Sequence, residues 1–519
     1  MQNNNSIYDK LIFSKDNNKV VCFKNNMPMF SKYSPKTEAE NFIKNLNITG
    51  KYFFITTGFA NAYHIFEFIK LFPENKILII EKHEEDLFNK LFTNEYLKIK
   101  DNANIILSTV ENLEQKILEN YIPILDGNIF FKPLRSWINY NSDISEIIQL
   151  KINNAIEKVK ADFSVQSHFG KLWFNNFLKN LFIFFENQDN FISINQIEIN
   201  NKTSTKIIAA GPTLDFSIEY LKQNKNNSFI ISTDTAYQVL KKNNIIPDIF
   251  ISLDAQYLSS NHTMEGFNKN TIICVDICGN SSILKQAIKN DCKILLTVSN
   301  HPLCNFLNYY LKENNLEQFL KINSGSGTVT IAACDLANKL QFKNIELIAT
   351  DFSYPFNKAY AKGTYFDELY HSNESKLNNF ETQFSKLMFR TELFNVKFGN
   401  QNIEIKTSKI LQTYKNSLIN YIEGSNCNFY SFTENLLNLN KINKNIKIDI
   451  SNNNIKFKKN KRIFLKRHLI EFLKKIEYEL KCEKSFLLIP LLTWSYKKKS
   501  KILANNIAKN LIAFYTKIL

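Results

Sequence analysis

Between Thr205 and Phe398, short apolar runs at 207–209, 229–232, 249–253, 271–275, 293–298 and 346–349 are separated by stretches of helical periodicity such as 217–223, 237–243 and 329–340. Runs this short and this uniformly apolar suit strands buried on both faces, and strands alternating with helices pair in parallel. The stretch is therefore constrained to a mostly parallel sheet covered by helices. In such a sheet a ligand sits beyond the carboxyl ends of the strands, where the strand order reverses. The residues expected there are Gly211, Pro212 and Thr213; Thr233 and Asp234; Asp254; Asn323, Ser324, Gly325 and Gly327; and Asp351 with Tyr354.

Two of these places combine glycines and hydroxyls where a strand hands over to a helix. One is Ala209-Ala210-Gly211-Pro212-Thr213-Leu214-Asp215, and the other is Lys321-Ile322-Asn323-Ser324-Gly325-Ser326-Gly327. Free backbone N–H groups and the positive end of a helix dipole favour an anion at such junctions. Together they predict one nucleotide pocket assembled from both.

The rest of the chain reads as two flanking modules. Residues 51–110 form a βαβ pattern in which Glu81 ends the second strand, where an acid often meets a ribose hydroxyl. The loop Gly58-Phe59-Ala60-Asn61-Ala62 lacks the further glycines of a dinucleotide fingerprint, so a structural unit is favoured. Residues 140–200 read as helical, with the aromatics of Phe169-Gly170-Lys171-Leu172-Trp173, then Asn176 and Asn180, taken as packing. Residues 441–519 read as helices and hold 20 Lys/Arg against 5 Asp/Glu, leaving 45 against 44 for residues 1–440. The net charge of +16 is thus a terminal feature. It fits a solvated face or a docking surface for an acidic partner or membrane rather than nucleic acid, for which no motif is present.

At 519 residues the chain is long enough for two to four domains. The longest apolar run, 486–494, is nine residues with Pro490 inside it, too short for a transmembrane segment. The first residues lack the basic and apolar regions of a signal peptide, so a cytoplasmic protein with reduced cysteines is expected. Cys274 and Cys278 are the closest cysteine pair, without a second pair or a histidine at zinc spacing, and no metal site is expected.

The order and spacing of Gly211-Pro212-Thr213-Leu214-Asp215, Pro247 to Asp254, Gly327 to Ala333, Asp351 and Tyr360-Ala361-Lys362-Gly363-Thr364 resemble the motility-associated factor (Maf) family of flagellin glycosyltransferases. Gly58 to His64 with Glu81, and the Phe169 to Trp173 run, extend the resemblance over most of 50–430. The centre is also similar to bacterial sialyltransferases that use CMP-sialic acid. That likeness implies a Rossmann-like, GT-A-variant central domain at 166–400, a smaller N-terminal Rossmann-like α/β domain at 1–165, and a helical, basic C-terminal domain at 401–519. It further implies that Tyr354 and Tyr360, six residues apart, hold the donor phosphate and that His371 is the general base. Gly211, Pro212, Thr213, Asp234, Asp254, Asn323, Ser324, Gly325, Gly327 and Asp351 then surround the nucleotide. Ala210 and Lys321 depart from the asparagine and arginine of the sialyltransferase pattern.

The implied reaction moves a CMP-activated nonulosonic acid, pseudaminic or legionaminic, onto Ser/Thr of flagellin with inversion. A monophosphate leaving group makes a metal cofactor non-obligatory, and the strand end Leu253-Asp254-Ala255-Gln256 lacks the Asp-x-Asp of diphosphate-sugar enzymes. His301 and His64 are rival bases. Two alternatives stand beside this reading: a 6-hydroxymethylpterin pyrophosphokinase using Asp234 and Asp254 on Mg²⁺, and a non-catalytic flagellin-binding assembly factor.

Overall fold

The computed structural model describes residues 8, 10–14, 20–24, 26–87, 93–199, 204–224, 228–324, 327–397, 404–431, 455–457, 464–479, 486–497 and 501–518. The chain divides into two compact units, Met1–His168 with Leu492–Ser500, and Phe169–Leu491 with Lys501–Leu519. Among the described residues no helix is long and apolar enough to cross a membrane.

The first unit holds a parallel sheet in the order Ile105–Thr109, Lys76–Glu81, Tyr52–Thr57, Asn128–Phe131. Its apolar strands are covered by residues such as Phe59, Ile65, Phe68 and Trp137, all fully buried. Glu81 ends its strand as expected, yet its carboxyl group is engaged by the protein itself. One oxygen accepts from the Tyr8 hydroxyl and the Phe59 N–H, the other from Trp137 Nε1 at 2.8 Å. Trp137 also closes over the loop: Gly58 has φ +81°, and a Cβ there would lie 3.0 Å from Trp137 Cδ1. The indole thus packs on both the loop and the acid that ends the second strand.

Burial, and secondarily the Asp86 charge, push the Glu81 carboxyl up to about 8. A carboxyl whose folded value exceeds its unfolded one stabilises fully below the unfolded value and loses that contribution as pH rises through the folded one. The first unit is therefore expected to melt lower at pH 9 than at pH 7. Glu81→Gln should start lower by about 1–3 kcal/mol, the cost of imperfectly replaced buried hydrogen bonds, but show little of this slope; thermal denaturation across pH 6–9 checks both.

In the second unit the main sheet is parallel, in the order Leu320–Lys321, Ile294–Val298, Ile272–Asp276, Ile249–Ser252, Phe229–Thr233, Ser204–Ile208, Asn344–Ile348, Asn428–Ser431, and two antiparallel pairs, Leu393–Lys397 with Glu404–Ser408 and Ile455–Phe457 with Ile197–Ile199, lie outside it. Phe191–Ile192 adds to Ile294–Val298. Strands Phe229–Thr233, Ile249–Ser252, Ile272–Asp276 and Ile294–Val298 are buried at every position, as unbroken apolar runs require. Neighbouring residues face opposite layers: Ile207, Phe229 and Ile231 pack with Ala333, Leu336 and Leu418, whereas Ile208 and Ile230 pack with Leu214, Val239 and Leu240. Helix Val329–Lys339 is buried from Thr330 to Ala337, its alanines permitting a close approach to the sheet.

The described residues beyond 400 are largely helical, in Lys409–Glu423, Lys466–Glu479, Ile489–Lys497 and Lys501–Ile518. They do not all stand apart from the central domain as the expected boundary implied. Strand Asn428–Ser431 is hydrogen-bonded beside Asn344–Ile348, and Phe472 of Lys466–Glu479 packs on Phe177, Phe306 and Tyr310. The sequence conceals this because the pairing partner lies about eighty residues upstream.

Candidate active site

The strand order reverses at Ser204–Ile208. From there the chain steps strand by strand to one edge, then returns to place Asn344–Ile348 on the other side. The carboxyl ends of these two strands meet at the Gly211 loop. Gly211 N–H donates to Ala349 O at 3.0 Å, and a Cβ at 211 would lie 2.5 Å from both Ala349 O and Asp351 Oδ2. Thr213 donates to Asp351 twice, from its N–H at 2.8 Å and its hydroxyl at 2.5 Å. Burial raises the Asp351 carboxyl to about 6, against the lowering effect of those two bonds.

At the first junction, where a phosphate cradle is expected, the loop also bonds to the protein itself. Leu214, Asp215 and Phe216 N–H groups donate to the carbonyls of Gly211, Pro212 and Thr213, so these donors, like those of Gly211 and Thr213, have acceptors in the protein. Gly211, Pro212 and Thr213 lock the two strand ends together, and Asp351 is the clamp. Ala361 N–H donates to Ala210 O, and Lys362 N–H to Asp215 Oδ1, which holds the following Tyr360 segment against the same loop.

Asp234 begins helix Asp234–Lys242 and is 6% exposed. Its Oδ1 accepts from Thr235 N–H at 2.8 Å and its Oδ2 from Ser252 Oγ at 2.9 Å. Asp254 lies just past the next strand, with Oδ1 accepting from Gln256 N–H at 2.9 Å. Its carboxyl is raised, chiefly by burial and further by Asp234, while His262 opposes the rise. His262, in the short helix Tyr257–Thr263, interacts with both carboxylates. Burial lowers its imidazole, the two carboxylates pull the other way, and its Nδ1 is buried without a hydrogen-bond partner. The ring meets Tyr365 edge-on at 4.5 Å.

Phenols complete the cluster. Tyr360 stacks on Phe366 at 4.7 Å, and burial followed by the charges of Tyr365, Tyr354, Asp234 and Tyr370 raises its hydroxyl above the usual tyrosine range. Burial likewise raises Tyr354, whose hydroxyl meets Ser408, and pushes Tyr365 up to about 12. The backbone of Tyr354 is fixed by its N–H donating to Lys406 O at 2.8 Å, in the hairpin Leu393–Lys397 and Glu404–Ser408. Phenols held above their ordinary range stay protonated near neutrality and act as hydrogen-bond donors.

The second junction is built differently. Leu320–Lys321 is the far edge strand of the sheet, Asn323 N–H donates to Asp335 Oδ2 at 2.8 Å, and Gly327 lies against Tyr414 of helix Lys409–Glu423, whose N-cap Ser408 contacts Tyr354. Ser324 is described without a site contact, and Gly325 lies outside the described residues. His371 is exposed at the end of helix Tyr365–Ser372, stacked on Phe380 at 4.2 Å and 3.4 Å from Glu374. His64 is buried between Phe30 and Phe42 in the first unit, lowered by burial to about 3, and His301 is lowered to about 4. A groove of about 1230 Å³ beside Phe191–Ile192 and Leu320–Lys321 contains none of the clustered acids or phenols. The residue that sequence reasoning missed is His262. Its one signal is position, eight residues after Asp254 in a loop at the carboxyl edge.

The fold is that of an α/β protein with a large parallel sheet in one unit and a smaller parallel sheet in the other. A sequence profile for "6-hydroxymethylpterin diphosphokinase MptE-like" matches residues 175–357. The solved Maf glycosyltransferase from Magnetospirillum magneticum AMB-1 superposes with a TM-score of 0.57 over 98% of this chain and 87% of that one, at 12% identity, so the chain has its fold. Two uncharacterized proteins of Treponema pallidum (strain Nichols) are similar in sequence: one 37% identical over 145 residues, 28% of this chain and 67% of that one, the other 34% identical over 130 residues, 25% of this chain and 44% of that one. The chain belongs to one family with the first of these.

Proposed function

We propose that this chain is a glycosyltransferase that moves a nonulosonic acid, pseudaminic or legionaminic, from its CMP donor to Ser/Thr of flagellin in the cytoplasm, as flagellum assembly and motility require. The observation that supports this most is the meeting of protonated phenols with an Asp234–Asp254–His262 group at the carboxyl edge of a switch-point sheet. Breaking the bond between the anomeric carbon and the phosphate oxygen builds negative charge on CMP. Tyr354 and Tyr360 donate hydrogen bonds to that charge. The acceptor hydroxyl attacks the opposite face of the sugar in a single inverting displacement and passes its proton to His262, whose carboxylate neighbours stabilise the imidazolium that results. His262 takes this role in place of His371 because it is buried and lies within electrostatic reach of Asp234 and Asp254.

The MptE-like match favours a second reading, diphosphate transfer from ATP with Mg²⁺. Its metal carboxylates would be Asp234 and Asp254, but both Asp234 oxygens and one Asp254 oxygen already accept protein hydrogen bonds. The basic docking face adds little to the choice, since much of 441–519 lies outside the described residues.

Flagellin co-produced with the chain and its CMP-sugar pathway is expected to gain the mass of one or more nonulosonic acids per molecule by intact-mass measurement. An unchanged mass sinks the transferase reading. Thermal shift in the same preparation should favour CMP over UDP, GDP and ATP with Mg²⁺; a preference for ATP with Mg²⁺ transfers the case to the second reading.

A further inference from the structure

Three soft donors that are scattered in sequence converge behind the Asp254 loop. Cys278 follows strand Ile272–Asp276, His301 is the N-cap of helix Pro302–Glu313, and Cys304 lies in that helix's first turn. Their ligand atoms all lie within 4.8 Å of one another, and the two sulfurs are 3.8 Å apart. A tetrahedral zinc with Zn–S bonds of about 2.3 Å has its sulfurs about 3.8 Å apart, so the thiols already stand at that spacing. Cys278 is 4% exposed and Cys304 0%. Two polar atoms around them are buried without a hydrogen-bond partner: His301 Nε2, and Oδ2 of Asp276, whose Oδ1 accepts from Cys278 N–H at 2.7 Å. Trp173 packs edge-on against the imidazole at 6.1 Å. Neighbouring Asn176 donates to Cys278 O and Ala255 O, and Asn180 to Ile277 O and Gly279 O. The asparagines of helix Ser145–Glu186 thus hold the turn that presents Cys278.

We propose that Cys278, His301 and Cys304 bind one zinc ion. Binding releases two thiol protons, and the two thiolates balance the charge of the divalent cation, which a buried place requires. Coordination through Nε2 puts the ring proton on Nδ1 and gives up the bond that Nδ1 now accepts from Leu303 N–H at 3.2 Å. The metal would brace the loop of Asp254, whose carbonyl accepts from Asn280 N–H at 2.9 Å, two residues past Cys278. Linear spacing did not show the site, because Cys278 and Cys304 are 26 residues apart and join only through adjacent strand ends.

Elemental analysis of the purified full chain is expected to give close to one zinc per molecule. After chelation, Co²⁺ added alone should produce thiolate-to-cobalt charge-transfer absorption, and Zn²⁺ should raise the melting temperature. Cys278→Ser and Cys304→Ser, singly, should abolish the cobalt band while circular dichroism remains that of the folded chain. A wild-type chain without zinc and without a cobalt band overturns the proposal, as does a metal that both serine variants retain in full. Should either variant fail to fold, the wild-type cobalt spectrum decides alone. None of these readouts depends on transferase activity.

Discussion

His262→Gln is expected to slow glycosyl transfer by about 10²–10⁴-fold, the usual contribution of a positioned acid–base group, while CMP binding and the melting temperature stay near those of the parent. His371→Ala should leave the rate almost unchanged, because that ring is exposed and stacked on Phe380 rather than set among the acids. The base must be neutral to accept a proton. Burial lowers the His262 imidazole below its ordinary value, so the acid limb of the rate profile should lie below that of a solvated histidine, and it should vanish in His262→Gln. Single-turnover rates across pH 5–8 for both variants check this. A full rate in His262→Gln, or its loss in His371→Ala, returns the role to His371.

Gly211→Ala is expected to disrupt the site itself. The added carbon would stand 2.5 Å from Ala349 O and from Asp351 Oδ2, one of which is backbone and cannot swing away. The strand end or the loop must move, and with it the two bonds from Thr213 to Asp351. A cost of about 1–3 kcal/mol or more follows from overpacking, together with loss of measurable CMP binding. Gly424→Ala is the control: its added carbon would be 3.6 Å from Asn420 O, ordinary contact. Urea denaturation and CMP titration of the two variants should differ sharply; equal stability would show that the loop yields without effort.

Much of the second unit was legible from residue pattern alone. The runs around Ile207, Ile230, Ile251, Ile273, Leu295 and Leu347 became the parallel strands expected of them, because an unbroken apolar run can satisfy burial on both faces only inside such a sheet. The site was half legible. Asp234, Asp254, Tyr354 and Tyr360 were marked by their places at strand ends or by family resemblance, and the structure sets these four in or around one cluster. The bonds that Gly211 and Thr213 make were not legible, since a Gly-Pro-Thr turn looks the same whether its N–H groups await a phosphate or bond to a neighbouring strand end.

The alternation of strand and helix is set by local periodicity, which a sequence carries residue by residue. Four things were decided only in three dimensions. These are the packing of Trp137 on Glu81 and the first βα loop, the clamp of Asp351 on Thr213, the electrostatic reach of His262 to two aspartates, and the meeting of Cys278 with His301 and Cys304. Each depends on atoms brought together by strand pairing across many residues, and no spacing along the chain records which strand ends will be neighbours.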